Sequence, residues 1–199
     1  MFLNMSKLDK AMKDAYKKGS MRIGCVHGGT YISNGFFVSW MDNSYLTNAM
    51  KGLIVKYAGE MPKEEGKGLL LAYQTAPQIE QPINKIFDLP KFYDEHRKEE
   101  VEKTELAYGR TALFQETDTN KIHFMNKSMI DLIDVREIDH ERGETPMASP
   151  VYLEGTYSIL FRNSAGMFLA YETRMDSVAA GIAELVKYME TIDLNKRRK

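Results

Sequence analysis

The strongest constraint on this chain is an order of elements that it meets twice. Residues 121–175 read as strand, helix, charged linker and a run of strands: KIHFM, NKSMIDLIDV and, after the linker, SPVYLEGTYSILFRNSAGMFLAYETRM. Near the N-terminus, SKLDKAMKDAYKKG precedes MRIGCVHGGTYISNGFFVSWM, again a helical pattern followed by strands. Such an order predicts an α+β protein built from two similar α/β units, with sheets backed by helices.

In the first unit, Leu8, Ala11, Met12 and Ala15 share one helical face. Lys10, Lys13 and Lys17 share the opposite face, with Lys7 and Lys18 at its margin. Ser6 with Asp9 forms a capping-box pattern, and Gly19 suits the C-cap. The lysine face has two readings: the solvated side of a core-packed helix, or a stripe that faces phosphates. Strands are predicted at Met21–Val26, Thr30–Ser33 and Phe36–Met41, turned at His27-Gly28-Gly29 and Asn34-Gly35. Asn-Gly signals a type I′ hairpin turn, in which both central residues take positive φ. Gly28-Gly29 lacks the G-x-G-x-x-G spacing and a following helix, so it reads as a turn and not as a phosphate loop.

A helix is expected from Asn43 or Ser44 to about Tyr57, because Leu46, Ala49, Met50, Leu53, Ile54 and Tyr57 keep helical spacing up to Gly59. MPKEEGKG is a loop. Its Gly66-Lys67-Gly68 is no P-loop, since Gly68 replaces the required Ser or Thr. Leu69–Gln74 reads as a buried strand and Ile83–Phe87 as a short helix. The mixed-charge stretch Lys91–Leu106 reads as a solvated helix or an extended arm. A hairpin comes next, Thr111–Glu116 and Lys121–Met125, and then a helix Lys127–Val135 capped by Asn126. Arg136–Ser149 is a polar linker. Strands are expected at Val151–Leu153, Thr156–Phe161 and Met167–Glu172. Val178, Ile182, Leu185, Val186 and Met189 describe an amphipathic last helix before the basic tail Lys196–Lys199. The division is one domain: a first unit over 6–42, an insertion over 43–110, a second unit over 111–175, and a C-terminal helix with its tail over 176–199.

The formal net charge of −1 leaves only local patches to attract a charged partner. The single cysteine, Cys25, excludes an intrachain disulfide and a multi-cysteine zinc site, and fits a reducing compartment. MFLNM is too short for a signal-peptide core, and no apolar run approaches the roughly 20 residues of a membrane helix. The expectation is a soluble cytoplasmic protein without membrane contact. His27, His96, His123 and His140 form no H-E-x-x-H or other i, i+4 pair. Cys25 and His27 lie two apart, which reads as a packed cysteine beside a turn histidine. Asp139-His140-Glu141 needs ligands from elsewhere to hold a metal. Glu64-Glu65 and Glu99-Glu100 fall in solvated runs. No catalytic residue, metal or cofactor is assigned, and the chain reads as a non-enzyme.

FMNKSMIDLIDV at 124–135, followed after the linker by residues 149–174 ending in YETR, resembles one domain of the bacterial sliding-clamp family. SKLDKAMKDAYKKG with MRIGCVHGGTYISNGFFVSW would be its first unit. The resemblance covers about half of the chain. It implies a duplicated βαβββ fold with sheets outside and helices facing duplex DNA, and puts Lys7, Lys10, Lys13, Lys17 and Lys127 in contact with it. Asp131 and Asp134 on the second helix oppose that contact. A closed bacterial clamp holds three such domains in each of two chains, and this chain has room for one, so encirclement would require self-assembly or a partner. The implied function is a non-catalytic clamp-like accessory protein in DNA replication or a related DNA transaction, from a phage or other mobile element. The alternative is a protein-interaction or regulatory module of clamp-like fold without DNA binding. On that alternative, Ser44–Tyr57 is expected inside the monomer and Val178–Met189 nearer an interface with a second copy or another protein.

Overall fold

The computed structural model describes residues 2–134, 150–173 and 180–196. The linker Arg136–Ser149, with Asp139-His140-Glu141, lies outside them, as do Val178 and the tail beyond Lys196. The described chain is mixed α/β: five helices and eleven strands in one antiparallel sheet. The helices are α1 (Met5–Lys18), α2 (Asn48–Ala58), α3 (Leu89–Glu95), α4 (Lys127–Ile130) and α5 (Ala180–Met189). The strands are β1 (Met21–Val26), β2 (Gly29–Ser33), β3 (Phe37–Asp42), β4 (Lys67–Leu71), β5 (Gln78–Glu80), β6 (Lys98–Tyr108), β7 (Thr111–Glu116), β8 (Ile122–Asn126), β9 (Val151–Leu153), β10 (Ser158–Asn163) and β11 (Gly166–Tyr171). Their order across the sheet is β5-β4-β1-β2-β3-β11-β10-β9-β6-β7-β8.

Two three-stranded meanders, β1–β3 and β9–β11, therefore meet edge to edge at β3 and β11. There Phe37 pairs with Ala170 and Met41 with Gly166. Strand alternation sends Phe37, Ile159, Phe161, Phe168 and Ala170 to one face, where Leu8 and Met12 of α1 and Met50, Leu53 and Ile54 of α2 complete the larger core. Val38, Trp40, Leu160 and Leu169 point to the other face, against Phe87 of a 3-10 turn at Lys85–Phe87 and Leu89 at the start of α3. The central strands are apolar on both sides because helices cover both.

Beyond β10 the sheet bends over. Phe114 of β7 meets Phe161 of β10 edge-on, ring centres 5.9 Å apart, although β9 and β6 lie between their strands. The end of the order returns to the middle: Met125 of β8 bridges Glu172, and the Thr173 N–H donates to Phe124 O at 2.7 Å.

Several local expectations change. Asn4 caps α1, accepting from the Lys7 N–H. Asp9, expected in a capping box, instead accepts from Lys56 Nζ at 2.7 Å and from the Tyr57 hydroxyl at 2.7 Å, tying α1 to α2. Positive φ at two successive residues occurs at His27 and Gly28, not at Asn34-Gly35. Ser33 pairs with Val38, which leaves a four-residue loop whose Asn34 carboxamide accepts from the Phe36 and Phe37 N–H groups. α2 begins at Asn48, after a 3-10 turn at Asn43–Tyr45. The charged stretch Lys91–Leu106 contains the last turns of α3 and most of the 11-residue strand β6. β6 is held on one edge by β9 and on the other by β7, and an antiparallel strand can leave one face to water. α4 stops at Ile130 because the N-terminal segment pairs with the residues beyond it: Leu3 bridges Ile133, and the Asn4 N–H donates to Leu132 O at 2.7 Å.

Phe37 and Phe168 stack across the β3–β11 junction with centroids 5.1 Å apart, and both are fully buried. Phe168→Ala is expected to cost about 3–5 kcal/mol in urea unfolding, while Ile79→Ala, at a side chain 62% exposed, stays within about 0.5 kcal/mol.

Candidate functional site

α1 is amphipathic in the way its sequence predicts. Leu8, Met12 and Ala15 are buried, while Lys7, Lys10, Lys13, Lys17 and Lys18 are exposed. At 100° per residue these five lysines fall within an arc of about 140°, and Asp14 is the one acid among them. None of the five makes an ion pair with a described residue. Asp9, at the edge of the arc, is occupied by Lys56 and Tyr57, and these two hydrogen bonds hold its carboxyl below the usual carboxylate range. The helix runs for 14 residues, about 21 Å, and presents its positive face to solvent.

The predicted lysines do not all stand together. Lys7 and Lys10 line a groove of about 390 Å³ between α1, α4 and the β2–β3 turn. Lys13 and Lys17 are not among its lining residues. Lys127 lies at the start of α4, where it donates to both carboxylate oxygens of Asp131 at 2.8 and 3.0 Å in a solvent-exposed ion pair. That pair has i, i+4 spacing and is legible in the sequence. The groove brings in Lys18, read at the margin of the lysine face, and adds residues given no site role from the sequence: Asp14 on α1, Ser128 and Met129 on α4, and Phe36 on the turn. Phe36 is 63% exposed, a large apolar ring held out to water.

A second constellation, also missed, lies inside the bent end of the sheet. His123 is buried, with its Nε2 2.8 Å from Glu116 Oε1 and its Nδ1 against Glu172 Oε1. Tyr152 stacks on the imidazole at 3.9 Å, and Lys121 Nζ sits 5.1 Å over the Tyr152 ring. Burial, with Glu172 and Glu116 nearby, pushes the Tyr152 phenol up to about 12. The signal was strand alternation: Glu116 shares a face with Phe114, and His123 with Met125, and both apolar residues are core. The two carboxylates take opposite ring nitrogens and do not converge on one point. Among the described residues no cluster of three or more His, Cys, Asp or Glu is disposed to hold a metal ion. The geometry suits a closure: an imidazole that bridges β7 to the segment after β11.

Cys25 is buried. Its Sγ is 3.6 Å from Glu65 Oε2, and Asn43 donates to it at 3.8 Å. Burial raises its thiol pKa, which disfavours the thiolate a nucleophile needs. The His27 backbone N–H donates to Glu65, and its ring faces Asp88 across 3.5 Å, so no imidazole is shown activating the cysteine. No helix among the described residues is long and apolar enough to cross a membrane. Comparison with protein-family models, with curated proteins and with solved structures finds no match.

Removing His123 leaves the buried Glu116 carboxylate and the partly buried Glu172 carboxylate without their shared partner. His123→Leu is expected to destabilise the fold by about 3–5 kcal/mol, and adding Glu116→Gln and Glu172→Gln should recover much of that loss. Denaturant titration of the single and triple variants checks it.

Proposed function

We propose that this chain is a non-catalytic accessory protein of DNA replication or a related DNA transaction, with the solvent face of α1 as its contact to the DNA backbone. The observation that carries the reading is the arc of five exposed lysines with no intramolecular ion pair among the described residues. Charges left free by the fold are available to displace counterions from phosphates. The topology supports the clamp-like part of the reading. Two meanders meet at β3 and β11, followed outward by β4 and β5 on one side and by β6, β7 and β8 on the other, and each is preceded in sequence by a helix, α1 or α4. The two central meanders support a doubled helix-and-strands unit, while the outer strands differ in number and in chain order. Lys127 is paired with Asp131 in an exposed i, i+4 ion pair, so the arc on α1 carries more of the proposed contact than Lys127 does.

Binding of a short DNA duplex, followed by fluorescence anisotropy, should weaken with salt, log K falling by about 0.9 per log unit of salt for each phosphate engaged. Lys10→Glu with Lys13→Glu and Lys17→Glu should weaken binding regardless of base sequence and flatten that slope. Absence of binding at low salt would remove the proposal.

A second reading, a protein-interaction module, is favoured by α5. Met189 is buried and Val186 packs beside it against Leu113, Ile122 and Phe124, but Leu185 and Tyr188 are 53% and 62% exposed. On this reading the outer face of α5 meets a second copy or another protein. Light scattering then finds a dimer that Leu185→Glu with Tyr188→Glu dissociates without lowering the melting temperature. A monomer at all concentrations removes the self-association form of this reading.

A further inference from the structure

We infer that the groove beside α1 takes single-stranded nucleic acid, with Phe36 as the platform for one base; this rests on the proposed role of α1 and names the form of the ligand. The lysine arc alone is indifferent to strandedness, since phosphates are common to both forms. The groove is not. One wall carries Lys7, Lys10 and Lys18, and Asp14 and Asp131 are its acids, with Asp131 already neutralised by Lys127. The rest of the lining is largely apolar, with Ala11 and Ala15 on α1 and Met129 and Leu132 across from them. Phe36 stands in the same lining, on the loop between β2 and β3.

Phosphates want the lysines but gain nothing from an apolar wall or an exposed phenyl ring. A base with a free face uses both. In a duplex the faces of the bases are covered by their neighbours, so only an unpaired strand offers one to Phe36. Non-specific single-strand binding is built from these two parts, a basic groove for the backbone and an aromatic ring for a base. The backbone that carries the ring is positioned in advance. Asn34 Oδ1 accepts from the Phe36 N–H at 2.9 Å and from the Phe37 N–H at 3.1 Å, so the loop that carries it is held while the side chain stays exposed. The groove as a whole measures about 390 Å³.

The test is anisotropy with a labelled 12-residue oligothymidylate and with a duplex of the same length, for the native chain, Phe36→Ala and Lys7→Glu with Lys10→Glu. Expected is that Phe36→Ala weakens single-strand binding roughly 5- to 150-fold, the range for losing one stacked base, and leaves duplex binding unchanged. The lysine variant should weaken both ligands and reduce the salt dependence of each. Phe36 is exposed, so an unchanged melting temperature accompanies the loss. Single-strand binding that ignores Phe36→Ala overturns the groove proposal and leaves the α1 reading standing. Binding of neither ligand at low salt overturns both.

Discussion

The pairing of β3 with β11 is the interaction on which the rest depends. Five register pairs, Gly166 with Met41 through Ala170 with Phe37, join segments more than a hundred residues apart, and the Phe37–Phe168 stack fills the space beneath them. Such non-local pairing carries a loop-closure cost that local hairpins do not, so it needs burial on both faces of the sheet to hold it. The two cores supply that burial. The pairing also fixes where the helices stand. α1 and α4 contribute to the same core cluster, hence to the same face of the sheet, and the groove is the space left between them.

The far end of the sheet solves a different problem. β8 is last in the order and would present an open edge. It is managed by the bridge to Glu172, by the His123 contacts with Glu116 and Glu172, and by the C-terminal segment. Gln115 anchors that segment, donating to Ile192 O at 2.8 Å and accepting from the Leu194 N–H at 2.7 Å. Glu190 takes the Ile122 N–H at 3.2 Å. A buried polar group is costly unless its partners are met, and here Gln115 meets its partners through the chain terminus. α5 thus acts as a cover on the β7–β8 hairpin, with its other face left to water.

What the sequence conveyed tracks the range of the forces involved. β1–β3 and β9–β11 are legible to within one or two residues, because dense apolar runs and Gly or Asn turns are local signals. The buried face of α1 and its lysine arc are legible for the same reason. β6 is not, since Val101 is its only buried apolar residue and its strand character comes from β7 and β9, distant in sequence. The early end of α4 is not, because the competing partner is the segment at residues 2–4. Asn34-Gly35 misled because two residues of turn sequence sit in a four-residue loop whose length the pairing of Ser33 with Val38 decides. Of the groove, the lysines could be read in advance. Phe36 could not, because its exposure depends on how that loop is tied.

The central claim is that the solvent face of α1 and the groove beside it form one nucleic-acid contact. Amide chemical-shift mapping on ¹⁵N-labelled protein tests it most directly, with a short single-stranded oligonucleotide added in steps at low salt. The account predicts shifts concentrated at residues 7–18, 34–36 and 128–132, with α5 and the β7–β8 hairpin unmoved. Shifts gathered on α5, or none anywhere at saturating oligonucleotide, would contradict it.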